Sequence, residues 1–243
     1  GSKMFLVGFD NDKVHEYKLC KNYSLGSISY TTSFSVSAKE LKPHGIAFNS
    51  DGTKMFIVGQ AGNDLNEYAL STAFDISSAS WTRNGCTESQ DGRSYSAINF
   101  NADGTKVMIL DKKSNKVREM VMSTAYSLAS CTYDSDNDST DLNGLSGVSE
   151  AKAQGMAFND DGTKMYIVGE QHDKVYELDL SAAYDVSEET FVASFDISDQ
   201  EVEPTGLEFS SDGKTMLVVG KNGDEINIYS LTTAWDISTA QHK

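Results

Sequence analysis

Proline is nearly absent: Pro43 and Pro204 are the 2 prolines in 243 residues. The chain has 19 glycines instead, so its turns are built on glycine, as in a sheet protein rich in hairpins. No run of 18 apolar residues occurs, which excludes a membrane-spanning helix. No secretory leader pattern stands at the start. Gly1-Ser2 reads as a cloning remnant and the chain opens inside a strand pattern, so a domain of a longer chain is expected. Cations are few: 20 Lys and Arg against 36 Asp and Glu leave a net charge of −16. That surplus repels phosphate backbones and anionic bilayers, which argues against nucleic acid and membrane insertion, and it attracts cations. The other values are globular, with 39% hydrophobic and 23% charged residues, and they allow a buried core.

Cysteine is sparse as well. Cys20, Cys86 and Cys131 form neither a disulfide framework nor a zinc pattern. They are expected as small residues on or near strands, with a Cys86–Cys131 bridge and the redox compartment left open. Enzyme signatures are missing: there is no Gly-x-Ser-x-Gly elbow, no phosphate loop and no His-Glu-x-x-His. His15, His44, His172 and His242 fall at unrelated positions. No catalytic residue is assigned.

What the chain does contain is a repeat. Gly45-Ile46-Ala47-Phe48, Ala97-Ile98-Asn99-Phe100, Gly155-Met156-Ala157-Phe158 and Gly206-Leu207-Glu208-Phe209 each precede an Asp-Gly pair, at 51–52, 103–104, 161–162 and 212–213. An apolar run follows, such as Met55-Phe56-Ile57-Val58-Gly59, and Lys3-Met4-Phe5-Leu6-Val7-Gly8 is a fifth copy of it. A second strand, a linker such as Ser71-Thr72-Ala73-Phe74-Asp75-Ile76-Ser77 and a last strand complete each unit. Asp-Gly between apolar strands is a hairpin signal. Met4, Met55, Val107, Met165 and Met216 are spaced by 51, 52, 58 and 51 residues. Four strands per unit at that period predict an all-β fold: a β-propeller of about five four-stranded antiparallel blades, in one domain, 1–243. The units are 1–44, 45–96, 97–154, 155–205 and 206–243. The first lacks its first strand, and the fourth strand of the last stops at Gln241-His242-Lys243. First and last blades are therefore expected to be incomplete.

The Gly-x-Ala-x-x-x-x-Asp-Gly stretch and the run after it resemble the YVTN-type, NHL-type and lactonase-like repeat propellers. The resemblance covers nearly the whole chain. It implies the fold and no particular activity, because those families include binding modules, surface proteins and hydrolases. No set of family catalytic residues maps onto this chain.

Residues that recur are read as structural. Phe74, Tyr126, Tyr184 and Trp235 stand at one linker position and are expected to plug gaps between blades, with a ring of sugar-stacking aromatics as the alternative. Lys3, Lys54, Lys106 and Lys164 recur in the second strand, and Glu16, Glu67, Glu119 and Glu177 in the third, as a cross-strand pair. Thr215 and Ile228 replace both in the last unit. Asp111 stands where Gly8, Gly59, Gly169 and Gly220 stand elsewhere, and it either perturbs the blade end or tolerates the turn.

Positions that differ between units are the binding candidates. They are Phe9, Gln60, Lys112, Glu170 and Lys221 after the second strand, and His44, Ser96, Gln154 and Thr205 entering the first. Together they are expected around the mouth of a channel. The 58-residue unit carries an acidic insertion in which Asp134, Asp136 and Asp138 have the 1, 3, 5 spacing of a calcium loop. Ser139 and Leu145 break that pattern where glycine and glutamate belong. A solvated loop is the reading, with calcium the one cofactor left open.

These features predict a non-catalytic binding or interaction scaffold with a protein, small-molecule or glycan ligand, at an extracellular or viral surface. A metal-dependent hydrolase of the lactonase-like kind is the alternative, and a carbohydrate-binding propeller the second.

Overall fold

The computed structural model describes residues 2–21, 23–62, 64–86, 93–133, 139–223 and 225–243. The first sheet is β1 (Lys3–Gly8), β2 (Lys13–Lys21) and β3 (Ser24–Ser35). The second is β4 (Pro43–Phe48), β5 (Lys54–Gly59), β6 (Leu65–Leu70) and β7 (Ala79–Gly85). The third is β8 (Tyr95–Phe100), β9 (Lys106–Asp111), β10 (Lys116–Met122) and β11 (Cys131–Tyr133), with β12 (Ser139–Asp141) also on β10. The fourth is β13 (Ala153–Phe158), β14 (Lys164–Gly169), β15 (Lys174–Leu180) and β16 (Glu189–Asp196). The fifth is β17 (Pro204–Phe209), β18 (Thr215–Gly220), β19 (Ile226–Leu231) and β20 (Ala240–His242). Each sheet is an antiparallel meander in chain order, so the fold is all-β, with five blades of a β-propeller.

The last blade is incomplete, as expected, in that its fourth strand has 3 residues. Its fourth strand is present and pairs as Tyr229↔His242, Ser230↔Gln241 and Leu231↔Ala240. It is short, not missing.

Local chemistry explains the recurring hairpin. Gly52 takes φ 72°, where a side chain is disfavoured. Asp51 accepts hydrogen bonds from the Thr53 amide at 2.9 Å and the Thr53 hydroxyl at 2.5 Å. Those bonds hold its carboxyl below the usual aspartate range. Asn49 Oδ1 accepts from Lys54 N at 2.8 Å. The Phe74 ring lies over Gly52, and Phe74 N donates to Gly52 O at 2.9 Å. Tyr126, Tyr184 and Trp235 cover Gly104, Gly162 and Gly213 in the same way.

The chain divides into two compact units, 1–107 with 120–133, and 108–119 with 134–243. In the first, Phe5, Phe48 and Phe74 stack with centroids 4.5 and 5.6 Å apart. Phe56, Phe100 and Tyr126 repeat this at 4.6 and 5.2 Å. In the second, Tyr166, Phe209 and Trp235 do so at 4.5 and 5.3 Å. The linker aromatics are thus committed to packing between blades, as plugs. Buried Val14, Met55, Ile57, Tyr68 and Ile76 centre one core, and Tyr166, Val168, Met216, Val218 and Tyr229 the other.

The Lys–Glu pair is more than a cross-strand contact. Lys54 Nζ lies 3.1 Å from Glu67 Oε1 and donates to Tyr126 O of the next blade at 2.7 Å. Glu67 Oε2 accepts from Leu128 N at 3.1 Å. Lys3 and Glu16 hold Phe74 O and Ile76 N likewise, and Glu177 holds Ile237 N at 3.0 Å. The pair clamps the linker of the blade that follows. The last blade carries Thr215 and Ile228 there.

Cys86 and Cys131 form a disulfide, with Cα atoms 5.3 Å apart. The pairing that the sequence left open is therefore formed: Cys86 follows the end of β7 and Cys131 opens β11, so the bridge links the fourth strands of successive blades. Cys20 is free and exposed.

Candidate functional site

Three of the divergent entry residues, His44, Gln154 and Thr205, each sit in a β-bulge. Pro43 pairs with Gly59 and Gly45 with Val58, so His44 is the extra residue. Gln154 between Ala153 and Gly155, and Thr205 between Pro204 and Gly206, are extra in the same way. A bulge re-aims the inserted side chain. The glycine after it answers a close approach: a Cβ on Gly45 would stand 2.7 Å from Val58 Cγ2 and 3.1 Å from Ala97 Cα.

In the first unit the bulge brings His44 to the loop after β5. Gln60 Nε2 lies 2.7 Å from His44 Nε2. The Phe9 ring meets His44 edge-on at 4.9 Å, and Lys42 Nζ stands 5.5 Å above Phe9. Phe9, His44 and Gln60 therefore form one cluster with Lys42. Ser96 is buried in β8.

In the second unit Lys112 Nζ donates to Gln154 Oε1 at 3.4 Å. Lys221 Nζ pairs with Glu170 Oε1 at 2.6 Å. The Thr205 hydroxyl donates to Val219 O at 3.4 Å, within its own blade. Lys112 with Gln154 and Lys221 with Glu170 thus pair across neighbouring blades, loop to entry and loop to loop.

Beneath these tips lies a set of residues that the sequence reading passed over. Glu40, Glu150 and Glu201 are buried at 0%, 1% and 2% exposure. Glu40 accepts from Ala61 N at 3.0 Å and Gly62 N at 3.2 Å. Glu150 accepts from Lys152 N at 2.7 Å, Gln171 N at 3.2 Å and His172 N at 3.3 Å. Glu201 accepts from Glu203 N at 2.9 Å and Asn222 N at 3.4 Å. Each carboxylate satisfies backbone donors of the loop that follows the second strand of its blade. Burial raises the Glu40 carboxyl to about 7.

The strand-closing glycine makes room for it. A Cβ on Gly59 would lie 2.5 Å from Glu40 Cδ, and one on Gly169 would lie 2.6 Å from Glu150 Cδ. Gly220 and Glu201 meet in the same way. In the third blade Asp111 replaces the glycine, is itself buried, and accepts from Lys113 N at 3.2 Å and the Ser114 hydroxyl at 2.7 Å. The odd aspartate brings its own loop-holding carboxylate. A sequence signal existed: each glutamate stands nineteen residues before its glycine, at 40 and 59, 150 and 169, 201 and 220.

Asp134, Asp136 and Asp138 lie outside the described residues. Among the described residues no three His, Cys, Asp or Glu side chains gather as metal ligands.

No protein-family model and no curated protein matches the chain. Solved structures do. A Lactobacillus plantarum protein is similar with a TM-score of 0.60 at 12% identity over 100% of this chain. A functionally unknown protein from Desulfotomaculum acetoxidans reaches 0.54 at 11% over 100%. The periplasmic gluconolactonase of Pseudomonas aeruginosa reaches 0.51 at 11% over 95%. This chain spans 66%, 65% and 62% of those chains. Identity at this level carries the fold alone.

Proposed function

We propose that the chain is a non-catalytic binding module whose contacts are made by the divergent loop tips. The observation that carries this reading is the buried carboxylate under those tips. Glu40, Glu150 and Glu201 hold loop backbone in one conformation, while the tip residues above them change from blade to blade. A constant anchor below a variable side chain is how a scaffold presents a recognition surface. The Phe9–His44–Gln60–Lys42 cluster in the first unit offers an aromatic face and donors, suited to a carboxylate-bearing or polar ligand. The disulfide supports an oxidising compartment.

A library of displayed peptides together with a glycan array tests the reading. Binders are expected whose signal falls with His44→Ala or Phe9→Ala and is unchanged by Asp51→Ala in the hairpin turn. The hydrolase alternative is addressed with gluconolactone and its 6-phosphate, each with and without calcium. Turnover of either that depends on tip residues would overturn the binding-module reading.

A further inference from the structure

Asp12, Asn115 and Asp173 stand just before β2, β10 and β15, with φ of 51°, 54° and 50°. Each accepts a later amide at its carbonyl: Val36 N donates to Asp12 O at 2.9 Å, Leu142 N to Asn115 O at 3.0 Å, and Ile197 N to Asp173 O at 2.9 Å. The three positions are therefore equivalent. Two of the side chains hold the turn that enters the next blade. Asn115 Oδ1 accepts from Ala153 N at 3.0 Å, and its Nδ2 donates to Glu150 O at 2.8 Å. In the first unit, Asp12 Oδ1 accepts from Lys42 N at 3.0 Å.

At Asp173 both amides are gone. Pro204 opens the next blade where Ala153 does, and it has no N–H to give. Glu203 N, the counterpart of Lys42 N, already donates to Glu201 Oε1 at 2.9 Å. Asp173 Oδ1 is accordingly buried without a hydrogen-bond partner among the described residues, and so is Glu201 Oε2. The groups that face Asp173 are the Glu150, Asp196 and Glu201 carboxylates and His172, and Lys174 lies opposite Asp196 in the ladder. Burial first, and then those carboxylates, push the Asp173 carboxyl above its ordinary value, with His172 opposing them.

We propose that Asp173 is a proton-operated joint between the fourth and fifth blades. A proton taken from solvent turns its carboxylate into a donor, which bonds Glu201 O as the Asn115 amide bonds Glu150 O. With the proton on, the loop at 170–172 is fixed to the turn that enters the fifth blade; with the proton off, that bond is missing. Glu150 holds the same loop through Gln171 N and His172 N, and the loop carries Glu170, which pairs with Lys221. The joint acts whatever the tips bind. Because the folded form holds this proton more tightly than the unfolded form, its contribution is complete below the ordinary aspartate range. It is lost as pH rises through the folded value.

Asparagine reproduces the protonated side chain and does not titrate. Asp173→Asn should therefore raise the urea midpoint by roughly 0.3 M at mildly alkaline pH. The gain should shrink as pH falls and the wild-type protein takes up its proton. Carboxyl-carbon NMR should place the Asp173 titration above the ordinary aspartate range. Pro204→Ala returns the amide that Ala153 supplies, and should move that titration down. Amide relaxation at mildly alkaline pH should show Glu170 and the loop after it more rigid in Asp173→Asn than in the wild type. A lower midpoint at alkaline pH, or a gain equal at acid and alkaline pH, would overturn the proposal. So would an ordinary Asp173 titration, one unmoved by Pro204→Ala, or unchanged order in the loop.

Discussion

Glu40 has no contact with solvent, and its carboxylate ends on two loop amides. Taking such a group out of water disfavours its charge, which is why it binds a proton up to about pH 7 against an ordinary glutamate value of 4.5. The folded state then binds more protons than the unfolded state between those values. Stability that is complete below pH 4.5 declines as pH rises through 7. Replacing Glu40 with Gln removes that proton, so the pH dependence of urea stability in this window should flatten, by at most about 1.4 kcal/mol per pH unit. An unchanged slope would show that Glu40 titrates normally. Asp111 offers a second check at this scale. Asp111→Gly leaves Lys113 N and Ser114 without their acceptor, because that blade gains no glutamate by the change. A loss of about 1–3 kcal/mol is expected by urea unfolding.

At the scale of elements, the Lys–Glu clamp determines how one blade meets the next. Glu67 is 4% exposed, bonded to both Lys54 and Leu128 N. Glu67→Ala leaves the half-buried Lys54 without its carboxylate and the buried Leu128 amide without its acceptor, and should cost about 1–3 kcal/mol in equilibrium unfolding. Adding Lys54→Met should cost less than the sum of the single changes, because the lone charge is gone too. The sequence already placed these residues on one face, but as a pair within a sheet. Their hold on Phe74, Tyr126 and Ile237 of the following blade was not legible, because a contact between blades leaves no period inside either one. The Asp-Gly hairpins were legible, since a tight turn depends only on residues next to each other. The bulges at His44, Gln154 and Thr205 were not, although they decide where the candidate side chains point.

For the whole molecule, the covalent link matters most. Cys86 and Cys131 are 45 residues apart, and closing a loop of that size lowers unfolded-state entropy enough to stabilise by about 2–4 kcal/mol. Reduction, or Cys131→Ser, should lower the urea midpoint correspondingly. Thiol titration of the native, unreduced protein should find Cys20 alone. Three reactive thiols there would remove the bridge.

Composition and repeat determined the all-β class, the five blades, the hairpins and the list of divergent tips, because each rests on residues close in sequence or on a simple period. The two prolines have a structural reason as well: Pro43 and Pro204 both precede a bulge at the first residue of an edge strand, where no ladder amide is needed. Only the tertiary structure decided that Cys86 reaches Cys131, that the fourth strand of the last blade survives as three residues, and that Glu40, Glu150 and Glu201 lie beneath the loops. The glutamates recur at a constant spacing, yet the sequence marks them as three more acids in a chain of 36. Burial set them apart: a carboxylate without water must find backbone donors, and the nearest are the amides of the loops it holds.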